Sequence, residues 1–329
     1  MSDHETVLVI GGAGYIGSVN VEALVAAGKR VIVADNFEYG HREAVHPDAV
    51  IEECDIRDGD AVRGMFDAHT IDAVMHFGAY AYVGESMTQA ERYFHNNFIG
   101  GYNLLNAMRD HDVKRIVFSS TCATYGDVQE VPIDESHPQQ PINPYGCSKL
   151  AFELLLRSYE ISYGIRHAIL RYFNASGATA EHGEDHNPET HLIPLVLQVA
   201  LGQREHISIF GADYDTPDGS CIRDYIHVSD LADAHIRALE YCKNESLFCN
   251  LGSEHGYSVR EVIEAARKIT KHPIPAVEAE RRAGDPPRLV ASSKKAKELL
   301  GWTPRFTDID KIVETAWLWH QKHPNGYAW

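Results

Sequence analysis

The first 175 residues alternate short apolar runs with longer amphipathic stretches. Runs rich in β-branched residues predict six strands, at Thr6–Ile10, Arg30–Ala34, Val50–Glu53, Ala73–His76, Arg115–Ser119 and His167–Tyr172. The stretches between them have the length and apolar spacing of helices, at Tyr15–Ala27, Asp60–His69, Met87–His111 and Pro144–Tyr163. Regular alternation of strand and helix predicts an α/β fold built on a doubly wound parallel sheet of the Rossmann type.

Beyond this region the pattern breaks into shorter pieces. Turn-forming clusters separate them, in DHNPETH, GADYDTPDG and KHPIP. We therefore expect two domains, a Rossmann domain over 1–175 and a smaller C-terminal α/β lobe over 176–329. The boundary is soft, because a chain of this kind can cross back to the sheet.

The net charge of the chain limits the classes of molecule that it is expected to bind. The chain has 329 residues and a formal net charge of −17, with 44 % hydrophobic residues. Such an acidic protein is a poor partner for nucleic acid and for anionic membranes. An anionic substrate would have to be met by arginines placed locally.

The cysteines and the apolar segments indicate a cytoplasmic protein. The six cysteines form no C-x-x-C pair and have no disulfide-dense spacing, so we expect reduced thiols. The chain begins with the polar segment MSDHE and has no apolar stretch approaching 18 residues. We therefore expect neither a signal peptide nor a membrane span.

A glycine-rich turn follows the first predicted strand. Gly11, Gly14 and Gly17 are spaced G-x-x-G-x-x-G and enclose Tyr15 and Ile16. Glycines at such a strand-to-helix turn let the backbone approach a pyrophosphate, which then meets the helix N-terminus. The alternative is that these glycines only allow a tight turn and bind no ligand.

The ends of the next strands carry candidate contacts for a dinucleotide. Asp35 ends the second strand, where a carboxylate accepts from ribose hydroxyls and repels a 2′-phosphate. Asn36 follows it instead of an arginine, so we expect NAD and not NADP. Asp55 and Ile56 follow the third strand and could contact the adenine, although Asp55 could instead cap a helix.

Two further features stand where the dinucleotide would pass. Phe77, Gly78 and Ala79 follow the fourth strand and include two small residues. Asn96 lies in the middle of a predicted helix, where Asn is a poor helix former. It either contacts the cofactor or bonds a neighbouring strand, and the sequence does not decide between these.

The candidate catalytic residues come from two elements. Tyr145 and Lys149, in PYGCSK, are four residues apart and share one face of a helix. A free tyrosine has a pKa near ~10, so a neighbouring ammonium and a cationic nicotinamide ring would have to stabilise the phenolate. Ser119 and Thr121 end the fifth strand, at the sheet edge where open α/β sheets bind ligands.

These motifs resemble those of the extended short-chain dehydrogenase/reductase family and, within it, the UDP-glucose 4-epimerase family. The similarity runs through segments in the family's order: GGAGYIGS, VADN, VGES, SSTCATYG, PYGCSK, LRYFNASGA, HLIP, RDYIHVSDLADAH and RRAGDPPRLVASS. The resemblance implies NAD as cofactor and Thr121, Tyr145 and Lys149 as catalytic residues. Tyr145 would take the C4 hydroxyl proton while hydride passes to NAD, and the resulting 4-keto sugar would turn over and be reduced again.

The resemblance also implies two sets of binding residues. The cofactor set is Gly11, Gly14, Tyr15, Ile16, Gly17, Asp35, Asn36, Asp55, Ile56, Phe77, Gly78, Ala79, Asn96, Ser119, Tyr145, Lys149 and Tyr172. The UDP-hexose set is Thr121, Tyr145, Phe173, Asn174, His191, Leu192, Ile207, Phe210, Arg223, Tyr225, Arg282, Asp285 and Leu289. Guanidinium groups suit a diphosphate, and they answer the problem of an acidic protein binding an anion.

Three positions depart from the family pattern. Val19-Asn20 replaces the usual polar pair, which predicts altered helix packing, and Tyr80-Ala81-Tyr82 lacks the frequent Lys or Ser. Leu289 is intermediate in size where a large aromatic tends to exclude N-acetyl sugars. UDP-GlcNAc and UDP-GalNAc therefore stay open as alternative substrates.

Other interpretations are weaker. A 4,6-dehydratase needs an acid/base pair after the threonine, where this chain has Cys122-Ala123. A nucleotide-sensing protein without chemistry would need none of the three catalytic residues. The histidines of Glu181–His186 lie in a polar loop, and we expect no metal there. The helices Met87–His111 and Pro144–Tyr163 could form the interface of a homodimer, as in similar enzymes.

Overall fold

The computed structural model describes residues 5–128, 130–282 and 286–327. Its strands, in chain order, are β1 (Thr6–Ile10), β2 (Arg30–Asp35), β3 (Val50–Glu53), β4 (Ala73–His76), β5 (Arg115–Thr121), β6 (Arg166–Tyr172), β7 (Asn174–Ser176), β8 (Ile207–Phe210), β9 (Ile222–His227), β10 (Leu247–Leu251), β11 (Gly256–Ser258), β12 (Ala276–Ala279) and β13 (Arg288–Leu289). Its α-helices are α1 (Tyr15–Ala26), α2 (Gly59–Ala68), α3 (Val83–Ser86), α4 (Ala90–Phe94), α5 (Gly101–Asp110), α6 (Pro144–Tyr163), α7 (Leu192–Ala200), α8 (Val228–Tyr241), α9 (Val259–Thr270), α10 (Lys294–Leu300) and α11 (Ile309–Lys322).

The chain forms two compact units. Unit 1 contains the residues up to Gly126, together with His137–Arg171 and Ala232–Cys249. Unit 2 contains Asp127–Ser136, Tyr172–Leu231 and the residues from Asn250 onward. The chain therefore returns to the first unit after it has entered the second.

Unit 1 is built on a seven-stranded sheet with the order β10-β6-β5-β4-β1-β2-β3. The pairs β1–β2, β1–β4, β2–β3 and β4–β5 are all parallel. The chain reverses direction across the sheet between β1 and β4, and such a switch point opens a crevice at the carboxyl ends of the strands. The predicted doubly wound parallel sheet is confirmed.

The helices of unit 1 begin and end at recognisable signals. The Asp58 side chain accepts from two backbone N–H groups at the start of α2. Asn143 accepts from the Gly146 N–H at the start of α6, where Pro144 occupies the first turn, and Gly164 ends that helix at φ 69°. The predicted bounds of α6 are confirmed.

The single helix predicted over Met87–His111 is wrong in its bounds and regularity. The segment consists of α4, a π-helical turn at His95–Gly100, and α5. The turn places Asn97 in the interior, where it is buried and bonded to other elements. Amphipathic spacing alone does not reveal a π-turn that long-range hydrogen bonds stabilise.

A continuous apolar cluster packs against one face of the sheet of unit 1. It combines side chains from the central strands with those of the helices packed on the sheet, among them Leu8, Ile32, Leu104, Phe118 and Phe152. All five are buried to 2 % exposure or less. This core holds the strand ends, and therefore the side chains that follow them, in fixed positions.

Unit 2 contains two smaller sheets. In the first, β9 pairs antiparallel with β11 and parallel with β13 and β7. In the second, β8 and β12 pair in parallel. Helices α7, α9 and α11 bury a second apolar cluster that includes Val196, Ile263, Ile312 and Trp317. In the described parts of the chain, no helix is both long and apolar enough to cross a membrane.

Candidate active site

The glycine-rich turn between β1 and α1 has no room for side chains. Gly11 has φ +73°, and a Cβ there would lie 2.5 Å from the Gly78 nitrogen. A Cβ on Gly17 would lie 2.1 Å from the Gly11 carbonyl oxygen, so α1 starts in contact with the turn. Gly14 precedes the first helical residue, and the side-chain-free turn leaves the helix N-terminus open to a phosphate group.

Asp35 lies beside this turn at the end of β2. Its carboxylate accepts from the backbone N–H groups of Ala13 (3.1 Å) and Phe37 (2.9 Å). Burial raises the pKa of Asp35, while these two hydrogen bonds act in the opposite direction. The carboxylate is thus fixed next to the glycine turn, where the sequence predicted a ribose acceptor.

Asp55 is already paired within the chain. Arg57 donates through its Nε to both carboxylate oxygens (2.9 Å each), and this pairing lowers the pKa of Asp55. The helix cap that the sequence left as an alternative role belongs to Asp58. Ile56 is buried against the core of unit 1.

Asn97 was missed by the sequence argument, which singled out Asn96. The Asn97 side chain accepts from the Tyr80 N–H (2.9 Å) and donates to the Tyr80 carbonyl and the Ser148 hydroxyl (3.0 Å each). Asn96 donates to Asn97 Oδ1 (3.0 Å). The buried Asn pair therefore connects the π-turn to α6 and to the loop after β4, which begins with Phe77 and contains Gly78 and Ala79. The one available signal was the polar pair inside an apolar helix pattern.

The departure at Tyr80 creates a charged network. The Tyr80 hydroxyl donates to Glu38 (2.7 Å) and accepts from Arg57 (2.8 Å), and Arg92 lies over the Tyr80 ring at 4.1 Å. The tyrosine therefore connects the loop after β4 to the loop after β2.

The other departure from the family pattern lies inside α1. Val19 and Asn20 are both buried in this helix, and the Asn20 side chain donates to the Ile16 carbonyl (2.8 Å).

The three predicted catalytic residues lie together in unit 1. Thr121 ends β5, and Tyr145 lies beside it in the first turn of α6, close enough for the Thr121 side chain to act on the pKa of the phenol. Lys149 is buried one turn later, and its Nζ donates to the carbonyl oxygen of Ser119 (2.8 Å). The parallel sheet brings a strand end and a helix start to one edge, which explains this convergence.

Burial shifts the two ionisable groups in opposite directions. It raises the pKa of Tyr145 to about 12, although the hydrogen bond with Thr121 acts against the rise. It lowers the pKa of Lys149 to about 7, with Glu153 acting in the opposite direction. From the sequence we expect Lys149 and a cationic nicotinamide ring together to stabilise the Tyr145 phenolate, and this stays a prediction. Within the chain itself burial has the larger effect on the pKa of Tyr145, and Lys149 donates to a backbone carbonyl.

Glu153 anchors α6, and its role was not recognised from the sequence. It is fully buried in α6 and accepts from the Ser120 hydroxyl (2.5 Å) and from Arg171 Nη2 (2.6 Å). Gln139 donates to the same carboxylate (3.0 Å). Ser120 and Arg171 belong to β5 and β6, so one carboxylate fixes α6 against two strands.

Unit 2 aligns several of the predicted UDP-hexose residues along β9. Arg223 and Tyr225 are two residues apart and therefore share one face of the strand. In the strand register Leu289 lies beside Arg223 and Asn174 beside Tyr225. Arg223 Nη1 donates to the carbonyls of Ile222 and Pro286 (2.9 Å each).

Other predicted residues of unit 2 fall into two groups. Arg282 lies over the ring of Phe210 at 4.2 Å, and Phe210 is 37 % exposed. Ile207, by contrast, packs in the core of unit 2, so its side chain is not part of an open surface. Asp285 lies outside the described residues.

The remaining residues surround the chain's entry into unit 2. Tyr172 ends β6 and is buried, and Phe173 is half-buried before β7. His191 precedes α7, and its N–H donates to Glu189 Oε1 (2.8 Å), so this amide already has a partner. Leu192 packs against the core of unit 2.

A family model decides how this geometry is classified. The model of the NAD dependent epimerase/dehydratase family matches residues 7–252, which include the glycine turn, Asp35, the three predicted catalytic residues and β9. The chain belongs to the NAD dependent epimerase/dehydratase family. Its relatives within that family are similar over nearly the whole length. A curated UDP-glucose 4-epimerase from Halalkalibacterium halodurans is 53 % identical over 326 residues, covering 98 % of this chain and 97 % of the relative.

Solved structures of family members agree. A crystal structure of a UDP-glucose 4-epimerase has a TM-score of 0.97 and 52 % identity, covering 99 % of this chain and 100 % of that one. The UDP-glucose 4-epimerase from Bifidobacterium longum, solved in complex with NAD+ and UDP, has a TM-score of 0.94 and 38 % identity. That comparison covers 98 % of this chain and 100 % of the other.

Proposed function

We propose that this protein interconverts UDP-glucose and UDP-galactose by inverting C4 of the hexose, with NAD as cofactor. The observation that carries this proposal is the Thr121–Tyr145 hydroxyl pair beside buried Lys149, at the carboxyl end of β5. Relatives about half identical over almost the full chain are UDP-glucose 4-epimerases, which supports the choice of reaction.

The residues around the glycine turn fit a dinucleotide. The turn leaves no space for a Cβ at Gly11 or Gly17, so its backbone is open to close approach by a pyrophosphate. Asp35 is a buried acceptor beside it, suited to ribose hydroxyls. Bound NAD supplies a nicotinamide ring that accepts the C4 hydride and later returns it. Residues of the chain itself transfer the proton and bind the substrate.

Tyr145 moves the proton of the C4 hydroxyl. It accepts this proton as the carbonyl forms, and it returns the proton when the opposite face of the 4-keto sugar is reduced. A pKa of about 12 leaves almost no phenolate near pH 7, so a positive charge additional to those of the chain has to stabilise the anion. The Thr121 hydroxyl donates a hydrogen bond to a sugar oxygen and so orients the C4 hydroxyl of the sugar.

Unit 2 supplies the groups for the UDP moiety. Arg223 and Arg282 bind the diphosphate, because guanidinium forks match phosphate oxygens. Asn174 and Leu289 flank Arg223 and Tyr225 on the sheet and contribute to the hexose end. Asp285 stays a predicted partner of the uridine ribose.

The range of sugars depends on Leu289. Its side chain is smaller than the aromatic residues that exclude N-acetyl groups, so UDP-GlcNAc and UDP-GalNAc are the second candidate substrates. A UDP-Glc/GlcNAc 4-epimerase from Campylobacter jejuni is 38 % identical to this chain, with a TM-score of 0.85. Dehydration is disfavoured, since Cys122 and Ala123 form a 3₁₀ turn and offer no acid/base pair.

We also infer a homodimer in the cytoplasm. Tyr102 on α5 and Leu154 and Ile161 on α6 are apolar side chains that are 44 %, 52 % and 86 % exposed. Such residues on two adjacent helices suit a self-complementary interface. The six cysteines are not joined in disulfides, which suits a reducing compartment.

A direct assay tests this function. The purified protein is incubated with UDP-galactose without added cofactor, and UDP-glucose is followed by NMR. The wild type should form UDP-glucose, and Tyr145→Phe should retain NAD but lose activity by at least ~10³-fold as the proton-transfer group is removed. Tyr241→Phe, which removes a hydroxyl bonded to Glu245 on the surface, is the control and should stay active. Wild-type activity in Tyr145→Phe would refute the assignment of the base.

A further inference from the structure

The segment before α7 contains four side chains of metal-ligating types. The proposed reaction uses none of these side chains, because only the backbone amide of His191 is predicted to line the nucleotide. Four donors lie together there, all within 4.8 Å of one another: Glu184, His186, Glu189 and His191. In sequence they read E-x-H-x-x-E-x-H, and two of them lie beyond the loop in which the sequence argument expected no metal. We infer that this four-residue cluster binds one divalent transition-metal ion of the zinc type.

The distances between donors fit such an ion. Glu184 Oε1 lies 2.7 Å from His191 Nδ1 and 3.2 Å from His186 Nδ1. Glu189 lies 3.2 Å from His191 Nδ1 and 3.9 Å from His186 Nδ1. Donors about 2.0–2.1 Å from a tetrahedral ion lie about 3.4 Å apart, so small side-chain movements suffice to place an ion between them.

The donor types select the class of ion. Two imidazole nitrogens and two carboxylate oxygens suit zinc, cobalt or nickel, whereas magnesium and calcium prefer oxygen alone. The Glu184 and Glu189 side chains are each only 6 % exposed. The two carboxylates carry two negative charges, which one divalent cation would neutralise after it has displaced any proton from the ligating imidazole nitrogens.

The cluster is held in place by bonds that leave the donors facing one another. Glu189 Oε1 accepts from the N–H groups of Thr190 (2.7 Å) and His191 (2.8 Å), which fixes its carboxylate. The loop is anchored to the C-terminal segment, where Asp185 accepts from the Tyr327 N–H (2.9 Å). Positioned ligands of this kind lower the cost of assembling a metal site.

Metal binding should join the segment before α7 to the start of that helix. His191 is the residue directly before α7, whereas Glu184 lies seven residues earlier. One bound ion would therefore hold this segment in a fixed conformation at the start of α7. The thermal stability of the protein would then depend on the metal. This role does not depend on the proposed sugar chemistry.

The test measures metal uptake directly. Untagged full-length protein is stripped with a chelator, titrated with ZnCl₂ by calorimetry, and titrated in parallel with CoCl₂ while visible absorption is recorded. We expect one ion per chain, a cobalt spectrum typical of tetrahedral coordination, and a higher Tm with zinc. His186→Ala and Glu189→Gln should each weaken binding at least ~10-fold and abolish the Tm shift.

A matched control separates this site from adventitious binding. Glu205→Gln combined with His206→Ala removes an exposed carboxylate and an exposed imidazole from the same unit and should bind zinc like the wild type. Equal zinc affinity in the wild type and in both cluster variants would overturn the inference. Loss of binding in the control alone would do the same. Glu189→Gln keeps an amide oxygen for the two N–H donors, so it tests the site even if His186→Ala misfolds.

Discussion

At the scale of single residues, Lys149 is predicted to be catalytic, and the burial of its ammonium lowers the stability of the folded protein. Its ammonium is buried, and its neighbours include the Glu153 carboxylate, the His76 imidazole and the Ser119 carbonyl. A pKa of about 7, below the ordinary 10.5, means that the folded protein holds this proton less firmly than the unfolded chain. Stability therefore rises with pH between these two values.

Replacing Lys149 should consequently stabilise the protein while reducing its activity. Lys149→Met removes the buried charge at similar volume, and we expect the free energy of unfolding at pH 6 to rise by about 1–2 kcal/mol. The gain should shrink at pH 9, where the wild-type amine is mostly neutral. Urea unfolding at both pH values measures this.

The control for this prediction is an exposed lysine. Lys311→Met on α11 should change the free energy of unfolding by less than about 0.5 kcal/mol at either pH. A Lys149→Met variant less stable than the wild type at pH 6 would show that the ammonium's bonds outweigh its desolvation.

At the scale of elements, α1 begins in close contact with the glycine turn that is proposed to bind NAD. A Cβ on Gly17 would collide with the Gly11 carbonyl, whereas a Cβ on Gly64 in α2 meets nothing within 4 Å. Gly17→Ala should destabilise the fold by about 1–3 kcal/mol through overpacking and should weaken NAD binding. Gly64→Ala should stabilise it by about 0.5–1 kcal/mol, because alanine is the better helix former.

Thermal unfolding and the NAD content of the purified variants check this pair. The two substitutions have the same chemistry and differ in the space around the new methyl group. If Gly17→Ala kept both stability and NAD, the tight turn would not be what holds the dinucleotide.

The elements also show what the sequence could predict. The bounds of β1, β3, β4 and α6 were correct, because β-branched runs and the Asn143-Pro144 start signal act locally. The break of the Met87–His111 segment could not be predicted, since Asn97 is held by partners 17 and 51 residues away.

In the candidate site, too, local features could be predicted from the sequence, whereas features that depend on the packing of distant elements could not. Local spacing was enough to pair Tyr145 with Lys149 and to place Thr121 at a strand end. The role of Glu153 was missed because Ser120 and Arg171 reach it only through the packing of β5 and β6. The burial that raises the pKa of Tyr145 in the chain itself could not be inferred from an (i, i+4) spacing.

At the scale of the whole molecule, the exposed apolar residues of α5 and α6 predict self-association. Ile161→Glu places a charge at the most exposed of them and should convert a dimer into a monomer, as measured by light scattering during size-exclusion chromatography. Leu318→Glu, at a 54 % exposed leucine of α11, is the matched control and should stay dimeric. A monomeric wild type, or dissociation by both variants, would count against this interface.

In the proposed mechanism the C4 hydrogen of the hexose leaves and returns within one active site, while Tyr145 carries only the hydroxyl proton. Epimerisation of UDP-galactose in D₂O, followed by NMR of the UDP-glucose formed, tests this most directly. We expect UDP-glucose that retains hydrogen at C4, because the hydride never exchanges with solvent. Deuterium at C4 of the product would contradict it and point to removal of that hydrogen as a proton.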